Sequence, residues 1–186
     1  LAETGGAADG LAAAEQKRKE AAARYDELVS ADPQDAYLQY FIGARKFRAT
    51  PPDYAGAETA FLKAARLAAS YAPAHAAVGA VSLRLQKWNT AREAYEKAIA
   101  LDPKTGDYHA GKGLALLKAK QFEEAKNVFR QALALDRTSV TALCGMGYVL
   151  NAEKNKNSAL SFFQQALAAA GNCDYAAAAL RKIYAQ

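Results

Sequence analysis

The chain has 186 residues, the length of one ordinary domain or of a short array of small repeats, which excludes a large multidomain enzyme. Alanine supplies 47 of them, and hydrophobic types make up 52% of the chain against 23% charged, too apolar for disorder throughout. Only 5 prolines and 12 glycines interrupt it, and good helix formers outnumber the β-branched residues that strands prefer. The composition therefore predicts an all-α protein.

The formal net charge of +5 raises the question of nucleic acid, because clustered Lys and Arg neutralise phosphates. The basic residues are scattered, however, and the one dense run, Lys17 to Lys19, lies between Glu15 and Glu20. We therefore expect no nucleic-acid partner. The uncharged stretches are too short for a transmembrane segment. The start lacks the pattern of a secretory leader, which fits either a cytoplasmic protein or a mature exported one.

A period of 34 residues runs through most of the chain. Similar segments begin, 34 residues apart, at Ala57, Ala91, Ala125 and Ala159. Upstream of each lies a second helical stretch with a glycine at a fixed phase, at Gly43, Gly79, Gly113 and Gly147. The interval from Gly43 to Gly79 is 36 residues and the later intervals between these glycines are 34, and the two extra residues fit the turn at 49–52. Such a period predicts a repeated helical hairpin whose units pack on their neighbours to bury their apolar stripes.

The second helix of each unit carries an aromatic residue between two alanines. The triplets have i, i+4, i+7 spacing, which places their members on one helix face: Ala57/Phe61/Ala64, Ala91/Tyr95/Ala98, Ala125/Phe129/Ala132 and Ala159/Phe163/Ala166. We expect each ring to fill an interhelical gap where Gly and Ala allow two helices to approach closely.

These residues resemble the tetratricopeptide repeat, a 34-residue helix-turn-helix unit. Counted from the start of each unit, the family's small residue at position 8 matches the four glycines, and positions 20, 24 and 27 match the triplets. An earlier copy of the second helix has Ala21 and Tyr25, but Leu28 replaces its last alanine. The family's proline at position 32 is kept only at Pro33 and Pro103. The resemblance covers nearly all of residues 21–171 and implies a right-handed α-solenoid.

The register of the repeat predicts the organisation of the chain. Residues 1–10 are expected to be a flexible N-terminus, and 11–35 a partial repeat with only the second helix. Four complete units follow, at 36–71, 72–105, 106–139 and 140–173. Residues 174–186 are expected to form a helix that caps the open end, with Ala178, Leu180 and Ile183 available for packing.

The search for chemistry finds no glycine-rich phosphate loop, no HExxH motif and no nucleophile motif. His75 and His109 recur at position 4 of successive units, where the family packs a large side chain, and only Asp107 lies near enough to add a ligand. We therefore expect no catalytic residue, no cofactor and no metal. An enzyme whose site is assembled from these three residues is the alternative.

Two cysteines allow two interpretations. The repeat layout places Cys144 and Cys173 on neighbouring layers near one edge, so a disulfide between them would fasten the cap to the last unit and indicate an oxidising compartment. Two reduced thiols in a cytoplasmic protein are the alternative. The localisation stays open, with a lean toward the bacterial periplasm or an outer-membrane anchor.

The resemblance also implies a concave wall built from the first helix of each unit, at positions 2, 5, 9, 12 and 13. On this map an apolar floor is bordered by a basic column of Arg48, Arg84 and Lys118. The predicted groove residues are Tyr37, Tyr40, Phe47, Arg48, Leu83, Arg84, Leu114, Leu117, Lys118, Tyr148 and Asn151. We predict a non-catalytic interaction scaffold that holds a partner peptide or helix there, with the partner's acids against the basic column.

Other interpretations accompany this one. The aromatic side chains of the groove would instead pack against the N-terminal helix, and the long basic residues would simply be solvated. Self-association through an exposed end of the array would give a homo-oligomer. A clamp for chaperone tails is disfavoured, because positions 5 and 9 hold Ala76, Ala80, Ala110 and Leu114 instead of Lys and Asn. The alanine-rich sequence resembles bacterial members of the family, among them lipoproteins that help to assemble pili and secretion pores.

Overall fold

The computed structural model describes residues 4–170 and 174–184, and every regular element within those ranges is an α-helix. The helices, in chain order, are α1 Thr4–Ala31, α2 Ala36–Phe47, α3 Tyr54–Leu67, α4 Ala72–Arg84, α5 Trp88–Leu101, α6 Gly106–Lys118, α7 Phe122–Leu135, α8 Val140–Ala152, α9 Lys156–Ala170 and α10 Asp174–Tyr184. Aspartates begin two of them. Asp35 accepts hydrogen bonds from the backbone of Tyr37 and Leu38 at the start of α2, and Asp53 accepts one from Gly56 in α3.

The helices pack as four consecutive hairpins. The pairs α2 and α3, α4 and α5, α6 and α7, and α8 and α9 lie against each other, and each hairpin also contacts the next along the chain. The even-numbered helices α2, α4, α6 and α8 contact one another as well, so they form one continuous wall, and α10 packs on α9 at the end. The predicted all-α solenoid with a capping helix is confirmed.

The aromatic residue of each second helix fills the gap between helices. Phe61, Tyr95, Phe129 and Phe163 are all buried, with at most 7% of their surface exposed. A Cβ atom added at Gly79 would lie 2.7 Å from the ring of Tyr95, and one at Gly113 would lie 2.5 Å from the ring of Phe129. Because real Cβ atoms do not approach so closely, glycine is required where the rings meet the helices.

The turns inside three of the hairpins share a feature that the sequence analysis missed. Gln86, Lys120 and Lys154 have positive φ angles of 59°, 62° and 63°. At the second of these turns, the Gln121 N–H donates to the Leu116 carbonyl at 2.9 Å and the Lys120 N–H to the Leu117 carbonyl at 3.0 Å. This is the Schellman pattern, in which a left-handed residue ends the helix and satisfies its last carbonyl groups. Glycine is the usual residue at such a position, so its absence hid the motif.

Both ends of the chain differ from the sequence prediction. Helix α1 begins at Thr4, whereas residues 1–10 were expected to be flexible. Alanine, the best helix former, is frequent between residues 7 and 14 and extends the helix across Gly10. In α10, Leu180 packs on the core as predicted, whereas Ala178 is exposed and Ala176 and Ala179 are buried instead.

Two hydrophobic clusters form the core. The N-terminal cluster joins Ala57, Phe61, Val78, Val81 and Ala94. The C-terminal cluster is larger among the described residues, runs from Ala110 to Ala179, and contains Phe129, Phe163 and most of α8. The wall of even-numbered helices passes across both clusters.

Candidate functional site

The wall carries a groove made of two adjoining lobes. The N-terminal lobe has a volume of about 370 Å³ and is lined by Tyr40, Ala44, Phe47, Arg48, Phe61, Pro73, Ala76, Ala77, Ala80, Tyr95, Asp107 and Tyr108. The central lobe has a volume of about 870 Å³ and is lined by Phe47, Ala80, Leu83, Arg84, Gln86, Trp88, Tyr95, Leu114, Lys118, Val140, Thr141, Cys144, Gly145 and Tyr148. Phe47, Ala80 and Tyr95 belong to both linings, so the lobes form one continuous depression across α2, α4, α6 and α8.

The groove brings together most of the residues that the sequence analysis placed there: Tyr40, Phe47, Arg48, Leu83, Arg84, Leu114, Lys118 and Tyr148. The other three do not line either lobe. Tyr37 is 57% exposed and lies against Tyr71, Leu117 packs on the C-terminal cluster, and Asn151 is exposed at the end of α8. Helices pack at angles to one another, so positions 2 and 12 of the repeat do not face the groove equally in every unit.

Lining residues that the sequence analysis missed lie mainly outside the positions taken for the concave wall. Gln86 lies in the turn after α4, and Trp88 is the first residue of α5. Tyr108 and Val140 lie at or near the starts of α6 and α8. The single tryptophan of the chain was a signal in principle. Its place at the start of a second helix, however, gave no reason to expect it in a groove built from the first helices.

Aromatic rings crowd the N-terminal end of the groove. The ring of Tyr40 lies 5.6 Å from that of Phe61 and 5.5 Å from that of Tyr71, and Phe47 lies 5.4 Å from Tyr54. These rings therefore find packing partners within the first two hairpins. Such edge and tilted contacts stabilise by about 0.5–1.5 kcal/mol beyond area burial and hold the rings in place.

Two tyrosine hydroxyls near this end stay protonated over a wide pH range. Burial raises the pKa of Tyr108, and Asp102 and Tyr40 add to the effect. Burial is also the main cause of the raised pKa of Tyr71, followed by the neighbouring Tyr40 and Tyr37. Both groups therefore remain hydrogen-bond donors.

The cations of the groove differ from those elsewhere on the surface. Lys87 lies 2.7 Å from Glu58, Lys126 lies 2.7 Å from Glu153, and each of these pairs joins two hairpins. In contrast, Arg48, Arg84 and Lys118 are exposed, and within the described residues no carboxylate pairs with them. Asp107 is the one carboxylate in the N-terminal lobe, and the lining of the central lobe contains none. The groove therefore presents an unbalanced positive charge beside apolar surface.

The two histidines have a structural role. The Nε2 atom of His75 lies 2.9 Å from the Ala69 carbonyl, and that of His109 lies 3.0 Å from the Pro103 carbonyl. Gln39, at the same position of the first unit, donates from Nε2 to the Pro33 carbonyl at 3.2 Å. The side chain at position 4 thus ties the first helix of a unit to the turn before it. In the part of the chain that the structure describes, no group of three potential metal ligands is present.

The predicted disulfide cannot be placed, because Cys173 lies outside the described residues. Cys144 is buried and contributes to the wall of the central lobe. Across the described helices, none combines the length and apolar character needed to cross a bilayer.

Comparisons with known proteins agree with this architecture. Two family models described as tetratricopeptide repeat match residues 79–140 and 116–183, which together span more than half of the chain. A sequence search of curated proteins found no match.

Solved structures share the fold at low sequence identity. YrrB, described as a TPR protein with an unusual peptide-binding site, is 20% identical with a TM-score of 0.70, over 92% of this chain and 88% of its own. MamA from Desulfovibrio magneticus RS-1 is 22% identical with a TM-score of 0.71, over 81% and 84%. The APC/C hetero-tetramer Cut9-Hcn1 is 18% identical with a TM-score of 0.77, over 92% of this chain and 34% of the matched one. The repeat is in general a non-catalytic scaffold. The chain belongs to the tetratricopeptide repeat family of protein-interaction scaffolds.

Proposed function

We propose that the protein holds a peptide or helix of a partner protein in the concave groove. The observation that carries the proposal is the continuous apolar depression whose bordering cations have no carboxylate partner among the described residues. A binding surface of this kind combines hydrophobic contact area with charges that orient the partner.

The helix dipole offers another explanation for the positions of the three cations. Arg84 and Lys118 are the last residues of α4 and α6, and Arg48 follows the last residue of α2. Cations at helix C-termini interact favourably with the helix dipole, by about 0.3–1 kcal/mol. This explains a basic residue at each helix end without any partner. The helix dipole does not explain why these three cations border the same groove, or why the lining of its central lobe contains no acid.

The experiment is a charge reversal with a matched control. Arg48→Glu, Arg84→Glu and Lys118→Glu are combined in one variant, and Lys97→Glu, Lys104→Glu and Arg137→Glu in the other. The control residues are exposed and line neither lobe, and both variants change the net charge by the same amount. Capture of partner proteins from an extract of the source cells, quantified by mass spectrometry, is expected to be lost only in the groove variant. Equal capture by both variants would refute the groove.

A second candidate function is self-association as an assembly platform. Phe41 is 52% exposed on α2, beside an open cleft of about 220 Å³ formed with Ile42, Ala44, Arg45 and Arg48. An exposed apolar patch beside an open cleft is a common form of interaction surface. Sedimentation equilibrium over a hundredfold range of concentration would show a rising mass for this function, and a constant monomer mass would exclude it.

A role in bacterial pilus or secretion assembly is supported by the resemblance of the alanine-rich sequence to lipoproteins of that kind. Fractionation of the source cells tests it, with the protein expected in the envelope fraction. Recovery in the cytoplasm would remove this role and leave the groove proposal intact.

A further inference from the structure

Tyr95 differs from the other aromatic residues that pack between the hairpins. Phe61, Phe129 and Phe163 occupy the same repeat position in their units, and Tyr95 alone of these four carries a hydroxyl group. The residue is only 7% exposed, and within the described residues its hydroxyl makes no hydrogen bond, but its oxygen is not among the fully buried polar atoms that lack a partner. The hydroxyl oxygen therefore keeps access to solvent and is available to hydrogen-bond water or a ligand.

The direction of the ring takes this hydroxyl to the groove. The Cδ2 and Cε2 side of the ring lies against Gly79, and the Cζ atom, which bears the hydroxyl, lies over Gly111 in α6. A Cβ atom on Gly111 would collide with Cζ, so the glycine leaves room for the hydroxyl end of the ring. Tyr95 contributes to the lining of both lobes, which places it on the groove floor where they meet.

The groups around the Tyr95 hydroxyl favour a hydrogen-bond acceptor with a negative charge as its partner. Burial, with Asp107 as a second cause, raises the pKa of Tyr95 far above its ordinary value, so the group stays a donor at any physiological pH. The central lobe adds two further donors, Arg84 and Lys118, and its lining has no carboxylate. Asp107, the acid that acts on Tyr95, lines the N-terminal lobe, whereas the central lobe combines the hydroxyl with two cations and has no carboxylate in its lining. The central side of the hydroxyl is therefore complementary to an anion carried on an apolar segment.

We infer that the Tyr95 hydroxyl is a specificity-determining donor, which hydrogen-bonds a side-chain carboxylate of an acidic partner segment bound in the central lobe. The inference rests on the proposed function of the groove and names the partner's chemistry. Side-chain carboxylates are favoured over a chain terminus because the cations belong to successive repeats, on helices whose axes pack about 8–10 Å apart. A segment with several acids can give each cation a carboxylate of its own, which a single terminal carboxylate does not.

The test begins with a display library of random twelve-residue peptides selected on the wild-type chain. The selected peptides are expected to be enriched in Asp and Glu beside apolar residues. The strongest is synthesised with an amidated C-terminus, together with a version in which every Glu and Asp becomes Gln and Asn. Fluorescence anisotropy then gives the dissociation constants of both peptides for each variant.

Tyr95→Phe keeps the ring that the other three units use, so it is expected to fold, which a thermal melt verifies. It should raise the dissociation constant of the acidic peptide about tenfold, the size expected for loss of a hydrogen bond to a charged group. The dissociation constant of the amide version should change less than twofold. Tyr54→Phe is the matched control, because Tyr54 packs against Phe47 but lines neither lobe. It should bind both peptides as the wild type does.

The outcomes separate this inference from the proposed function. Wild-type affinity of Tyr95→Phe for the acidic peptide would overturn the inference, and weaker binding by Arg84→Gln in the same assay would leave the groove standing. Selected peptides without acidic enrichment would also overturn the inference. Selected peptides that bind equally well when Arg84 and Lys118 are both changed to Glu would overturn the proposed function itself.

Discussion

The two hydrophobic clusters are built on the same 34-residue period but differ in size. In the C-terminal cluster, α8 buries eight of its thirteen residues, and Phe129 and Phe163 pack with Leu116, Leu143 and Met146. In the N-terminal cluster, the buried partners of Phe61 are valines and alanines, and its aromatic neighbour Tyr40 is only partly buried. The shared repeat therefore determines which side chains face the core, but the sizes of those side chains differ between units, and so does the expected stability of the units.

The difference bears on function, because the groove crosses from one cluster to the other. In a solenoid, each unit is stabilised by its own packing and by its interfaces with neighbours, so the smaller cluster is expected to open first. A partner that contacts Phe47 and Ala80 on one side and Leu114 and Tyr148 on the other would hold both regions together. Substitutions that compare equivalent positions in the two clusters test this account.

The largest expected effect is that of removing an aromatic side chain. Phe129→Ala should lower the free energy of unfolding by about 3–5 kcal/mol, because the ring is fully buried in the larger cluster. Phe61→Ala, at the same repeat position in the smaller cluster, should cost less. Urea denaturation followed by circular dichroism gives both values. An equal or larger loss for Phe61→Ala would mean that the two regions are equally stable.

A smaller loss is expected when a methyl group is added at a helix contact. Gly145→Ala should destabilise the chain by about 1–3 kcal/mol, because the new Cβ atom collides with the ring of Phe129, which has no room to move. Gly10→Ala is the control, since no atom lies within 4 Å of a Cβ there. It should leave the midpoint of unfolding unchanged or raise it slightly. A tolerated Gly145→Ala would show that the contact is loose.

Helix α4, which contributes Val78 and Val81 to the smaller cluster, also carries a buried hydroxyl whose removal should stabilise the chain. Ser82 is fully buried in α4, and its hydroxyl has no hydrogen-bond partner among the residues that the structure describes. Ser82→Ala should raise the free energy of unfolding by about 1 kcal/mol, because the desolvation cost of the hydroxyl disappears. Thermal unfolding measures the effect, and a lower midpoint would show that the hydroxyl is satisfied in solution.

The smallest effect is expected at a left-handed turn of the larger cluster. Lys120→Gly should stabilise the chain by about 0.5–1 kcal/mol, because glycine adopts a positive φ without the steric cost of a Cβ atom. Lys120→Ala keeps the Cβ atom and should bring no gain. If both variants lose stability in the same denaturation assay, the turn does not have this conformation.

Much of this architecture could be predicted from the sequence, because the period and the positions of small and aromatic residues are local signals. The repeat positions of Gly43 and Phe61, for example, predict a close contact between two helices without any knowledge of the rest of the chain. The groove was only partly predictable. Tyr37 and Leu117 have suitable positions in the repeat, but crossing angles between helices turn them away from the lobes.

The role of Tyr95 was hidden for a different reason. Its place in the triplet predicts packing, which the structure shows, and the sequence has no mark that separates a tyrosine from a phenylalanine there. The structure places the ring over Gly79 and Gly111 and in the lining of both lobes, and the repeat position alone does not show this.

The most direct test of the groove is site-specific photo-cross-linking to the selected acidic peptide. The photoreactive residue p-benzoylphenylalanine replaces Leu83 in the central lobe or, separately, Leu135, which is 45% exposed at the end of α7 and lines neither lobe. The account predicts a cross-link at position 83 that the unlabelled peptide competes away, and none at position 135. A competed cross-link at position 135 with none at position 83 would place the binding surface outside the groove and contradict the account.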